Sequence, residues 1–125
     1  MRSILLDELL APEIKAVTEY MTAQAEPSDL EGLFWIKLPP ELWNETQRAS
    51  LTEENRTNGE GAEDFRLAVE VGPDWVRFEL LVRTGGLLNI GGGPADEKQT
   101  LFALRWADEM AQKLNLVSCA GNLSL

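Results

Sequence analysis

Two alternating runs meet across Gly72-Pro73-Asp74, and no other stretch constrains the chain as tightly. In the first, Phe65, Leu67, Val69 and Val71 alternate with Arg66, Ala68 and Glu70. In the second, Val76, Phe78, Leu80 and Val82 alternate with Arg77, Glu79, Leu81 and Arg83. A period of two marks strands with one buried face. Pro-Asp suits the centre of a type I turn. The two apolar sets share a side only if Val71 opposes Val76, because a one-residue slip would turn one set into water. That register pairs Val69 with Phe78, Leu67 with Leu80 and Phe65 with Val82. It also sets Glu70 against Arg77, a favourable cross-strand charge pair.

Helical spacing brackets this hairpin. Leu10, Ile14, Val17, Met21 and Ala25 form one stripe over residues 10–26, with Pro12 in the first turn and Pro27 as the stop. Residues 4–10 read as an earlier turn continuous with that helix. A second helix is expected over 95–114. Phe102, Ala103, Leu104, Trp106, Ala107, Met110, Ala111 and Leu114 span a broad apolar arc, and Asp96 and Glu97 lie in the first turn, where the dipole favours them. Residues 33–38 read as a strand between Gly32 and Pro39-Pro40. A short helix over 41–51 has Leu42, Trp43 and Leu51 as anchors. Residues 52–63 read as a polar loop, and 87–90 and 116–119 as short strands. The expected architecture is α+β, in one domain spanning 1–125. It has a mostly antiparallel sheet of three to five strands, with both long helices packed on one face.

Composition then excludes functions. The 125 residues carry 11 basic and 21 acidic side chains, a net charge of −10, and no histidine. So acidic a chain is a poor match for nucleic acid or an anionic membrane surface, since both are polyanions. It suits either plain solubility or a basic partner of an inhibitor, chaperone or nucleic-acid mimic. One cysteine, Cys119, cannot build an internal disulfide framework. The apolar run Ile4-Leu5-Leu6 is too short for a secretion signal, and no stretch approaches the ~18 apolar residues of a membrane span. These signs place the chain in the cytoplasm, where its three glycosylation sequons are chance matches.

Without histidine, neither a Ser–His–Asp triad nor a Cys–His dyad can form. Cys119 reads as a small buried thiol. The acids Glu53, Glu54, Glu60, Glu63 and Asp64 lack calcium-loop spacing and read as solvated charge. The glycines at 85–86 and 91–93 match no phosphate-loop pattern, and Asp96 and Glu97 beyond them would repel phosphate. No cofactor and no metal site is expected.

Four tryptophans remain to be placed. Trp106 falls inside its helix's apolar arc. Alternation sends Trp35, Arg66, Trp75, Arg77 and Leu81 to the sheet face opposite the core set, with Lys37 and Arg83 beside them. Either residues 40–52 cover that face, or it is an exposed aromatic–arginine surface for another protein or a second copy of the chain. The sequence therefore reads as a non-catalytic, acidic protein-binding domain of the inhibitor, immunity, chaperone or adaptor type. The alternative is a small-ligand binder with a pocket between sheet and helices. An enzyme working through carboxylates, lysine or Tyr20 ranks third. In element order and acidity alone, with no motif shared, the chain resembles small acidic secretion chaperones of bacteria, which implies a chaperone-like role. With only carboxylates as metal ligands, micromolar zinc or calcium is expected to leave the melting temperature unchanged. A rise of several degrees would contradict that.

Overall fold

Alternation and helical periodicity resolve into an α+β structure whose sheet is antiparallel throughout its described ladders. The computed structural model describes residues 2–49, 65–84 and 92–116. In chain order these form β1 (Ser3–Leu6), α1 (Ala11–Gln24), β2 (Glu26–Pro27), β3 (Leu33–Lys37), a 3-10 turn (Pro40–Leu42) and α2 (Glu45–Ala49). There follow β4 (Phe65–Val71), β5 (Val76–Glu79), β6 (Leu81–Thr84), β7 (Gly93–Pro94) and α3 (Glu97–Leu114). The sheet runs β1-β5-β4-β3-β2, with β6 paired to both β4 and β7.

The hairpin forms in the register that its apolar pattern demands. Val71 opposes Val76, Glu70 opposes Arg77 and Val69 opposes Phe78. Beyond Glu79 the expected pairs Leu67–Leu80 and Phe65–Val82 do not form. The second run breaks into β5 and β6, and Phe65 opposes Thr84 while Arg66 opposes Arg83. Leu80 has left the ladder: its N–H donates to the Arg2 carbonyl, and its own carbonyl accepts from the Ala95 N–H, each at 3.1 Å. Leu81 and Val82 then pair with Pro94 and Gly93. A slip of two residues, unlike a slip of one, preserves the side-chain alternation. Leu80, Val82 and Thr84 therefore stay buried with Val76 and Phe78.

Residues 4–10 are not an extension of the first helix. Ile4 and Leu6 are fully buried from strand β1 and face Phe78 and Val76 across the ladder. A run of three apolar residues is compatible with either period, and long-range pairing decides it here. Glu8, at φ 58°, turns the chain, and α1 starts at Ala11 with Pro12 in its first turn, as expected. Pro27 follows the helix and joins the edge strand β2 opposite Phe34. The expected loop at 52–63 and strand at 87–90 lie outside the described residues. Of the expected tail strand only Leu116 is described; it is buried in the core cluster.

The core sheet residues Ile4, Leu6, Phe34, Ile36, Phe65, Leu67, Val69, Val76 and Phe78 share one face. Val17 and Met21 of α1, and Ala103, Ala107 and Met110 of α3, belong to the same cluster, so both long helices cover that face. The arc of α3 is narrower than expected, with Phe102, Leu104, Trp106, Ala111 and Leu114 only partly buried at its flanks. Trp106 meets Tyr20 of α1 edge-on at 5.6 Å and tilts against Phe78 at 5.8 Å, which joins both helices to the sheet.

Residues 40–49 do not lie over the second face. Trp43 packs edge-on against the core residue Phe65 at 5.0 Å. Two reciprocal helix caps then lock the segment to the start of α3. Asn44 Oδ1 accepts from the Gln47 N–H, and Gln47 Oε1 accepts from the Asn44 N–H. Asp96 and Gln99 repeat the arrangement. The two glutamines are buried, and Gln99 Nε2 donates to Gln47 Oε1 at 2.8 Å and to the Leu42 carbonyl at 2.9 Å. Gln99→Leu removes the cap acceptor of the Asp96 N–H, takes the Nε2 donor from the half-buried Leu42 carbonyl and leaves Gln47 Oε1 with the Asn44 N–H alone. It is expected to cost about 2–3 kcal/mol in chemical denaturation. A midpoint equal to the parent's would contradict the clamp.

Candidate functional site

The face opposite the helices is built by the remaining strand positions. Its rows follow from the ladders. Leu5, Arg77, Glu70 and Leu33 stand in line across β1, β5, β4 and β3. One step along the sheet, Ala68 stands opposite Trp35 and Trp35 opposite Glu26. One step further, Arg83, Arg66 and Lys37 form a row across β6, β4 and β3.

The sequence-predicted residues fall into two aromatic–arginine pairs. The Arg66 guanidinium carbon lies 4.4 Å from the ring centroid of Trp35. The two positions are diagonal neighbours on the face, within reach of long side chains. Ala68, directly opposite Trp35, is small and only 7% exposed. The Arg77 guanidinium lies 5.5 Å from the ring of Trp75. Leu81 is half-buried on β6, two residues before Arg83 and on the same side. Rows and registers separate the two pairs, with Glu70 and Leu33 between them.

Trp75 also has a local task. It closes the hairpin turn, its carbonyl accepting from the Gly72 N–H at 2.8 Å. A Cβ placed on Gly72 would fall within contact of the Trp75 ring, so this tryptophan lies on the glycine backbone. Pro73-Asp74 supplies the turn; the side-chain-free Gly72 supplies the seat for the ring.

Ion pairs surround the tryptophans. Arg77 pairs with Glu70, Arg83 with Glu79 at 2.8 Å, and Lys37 with Glu26 at 3.0 Å. Arg66 differs. Among the described residues no carboxylate pairs with it, and its Nε is buried without a hydrogen-bond partner. Alternation alone placed these side chains on one face. The cation row came from pairing between β4 and β6, which the hairpin pattern does not reveal.

A separate open cavity of about 430 Å³ lies where the 41–48 segment meets the start of α3, not between sheet and helices. Arg48 and Lys98 share its wall with Trp43, Glu41, Glu45 and Glu97. Among the described residues no group of three His, Cys, Asp or Glu side chains could hold a metal ion. Nor is any described helix long and apolar enough to cross a membrane. No protein-family model, no curated protein and no solved structure matches the chain.

Gly72→Ala is expected to lift Trp75 off the turn. Tryptophan emission should shift to the red, with a stability loss of about 1–2 kcal/mol, because the ring and not the backbone yields. An unchanged emission spectrum would show that the ring does not rest on Gly72.

Proposed function

We propose that this chain is a non-catalytic, acidic protein-binding domain that uses the sheet face opposite its two long helices as the contact surface. The kinds of protein that work this way are inhibitors, immunity proteins, chaperones and adaptors. The observation that carries the reading is the Trp35–Arg66 stack on a face to which neither long helix packs. Tryptophan and arginine are the side chains most enriched at binding hot spots, and arginine stacked on an indole is already ordered before it binds. Trp75 and Leu81 extend the apolar area, while Arg77 and Lys37, in exposed ion pairs, and Arg83, in a part-buried one, make a polar rim. The non-catalytic reading rests on the absence of histidine, and the cytoplasmic one on the single cysteine.

Charge favours another protein over a second copy. A two-fold contact centred on Trp35 would set the cation row against itself. A partner presenting an acidic patch meets complementary charge there instead.

The test is the double change Trp35→Ala and Trp75→Ala, compared with Leu101→Ala on the exposed side of α3. The reading expects the double variant to lose the complex formed by the wild-type chain in its host and to unfold cooperatively. Leu101→Ala should keep the complex. Equal retention by all three proteins would refute the reading. A wild-type dimer in light scattering that the double change dissolves would replace the foreign partner with a second copy.

A further inference from the structure

We propose that the row Arg83–Arg66–Lys37 recognises side-chain carboxylates of an acidic segment on the partner, with Arg66 as the anchor. This rests on the protein-binding reading above and names the chemistry of its partner. Three cations stand directly opposite one another on adjacent strands. Like charges in that position repel; carboxylates offset the charge of Lys37 and Arg83, and among the described residues none offsets that of Arg66.

The three positions differ in how their charge is met. Lys37 holds an exposed pair with Glu26, worth little in water and open to exchange for a partner's carboxylate, whereas Arg83 holds a part-buried one with Glu79. Arg66 sits between them with no carboxylate among the described residues, its Nε buried and without a hydrogen-bond partner. Trp35 holds the guanidinium by its face at 4.4 Å, and stacking of this kind leaves the in-plane Nη N–H donors, beyond the buried Nε, for a carboxylate. Two strand spacings separate the ends of the row, about 10 Å. One terminal carboxylate cannot span that distance. Two or three acidic side chains on one segment can, since alternate residues of an extended strand lie about 7 Å apart.

The probe is N-acetyl hexaglutamate amide, titrated into the full chain at low ionic strength, with the hexaglutamine analogue as the uncharged comparison. Binding is read by calorimetry and by tryptophan emission. The proposal expects hexaglutamate to bind and quench, hexaglutamine to do neither, and salt to weaken the interaction. Arg66→Gln should weaken binding about tenfold or more, with Arg66→Lys intermediate. Arg105→Gln, on the exposed side of α3, makes the same change in net charge and should leave binding unchanged. Equal weakening by Arg66→Gln and Arg105→Gln would overturn the proposal, as would binding of hexaglutamine. If hexaglutamate fails to bind while the tryptophan double variant still loses the native complex, the carboxylate proposal falls and the protein-binding reading stands. If the double variant also keeps that complex, both fall.

Discussion

The facing of Val71 against Val76 is the constraint on which the rest of the structure depends. It fixes which side of β4 and β5 is apolar, and so where α1 and α3 must pack. Every neighbouring strand inherits that choice. Ile4 and Leu6 on one flank, and Phe34 and Ile36 on the other, turn to the same side because their ladders are in phase with it. The opposite positions are then committed to the second face, whatever their chemistry. Trp35, Arg66, Arg77 and Glu70 share a surface as a consequence of one turn register.

The departures from regularity preserve this division. Leu80 leaves the β4 ladder to bond Arg2 and Ala95, yet the two-residue offset keeps Leu80, Val82 and Thr84 on the core side. Gly32 shows the same economy at β3. Its N-terminal turn needs φ +80°, and a Cβ there would stand 2.9 Å from the Val71 carbonyl, so glycine lets the chain enter the sheet beside β4. The paired caps Asn44–Gln47 and Asp96–Gln99 hold the 40–49 segment against α3. That placement keeps the segment away from the tryptophan face.

What could be read from the sequence tracks the range of the interactions involved. Both long helices, the strand at Leu33 to Lys37 and the turn-proximal half of the hairpin rest on periodicity within one segment and stand where the pattern put them, while beyond Glu79 the register shifts by two residues. Strand β1 is not legible, since Ile4-Leu5-Leu6 is too short to show a period and fits a turn leading into the first helix equally well; pairing with β5, about seventy residues away, decides it. The docking of 40–49 depends on the Gln47–Gln99 bond across a separation of 52. Its signal was present as two Asn/Asp-x-x-Gln cap patterns, but their mutual contact was not. On the candidate face, alternation placed Trp35 and Arg66 together. It could not show that they stack, that Trp75 rests on Gly72, or that Arg83 stands beside Arg66.

One sheet face is covered by the two long helices, and we propose that the other is a contact surface. Side-chain footprinting with hydroxyl radicals tests it directly, with fully buried Met21 and Met110 as internal references. In the free protein the account predicts that Trp35, Trp75 and Leu81 are labelled and that both methionines, despite their intrinsic reactivity, are spared. In the native complex the first three should become protected while exposed Leu101 keeps its labelling. A Trp35 as protected as Met110 in the free protein would show that the face is already covered, and would contradict the account.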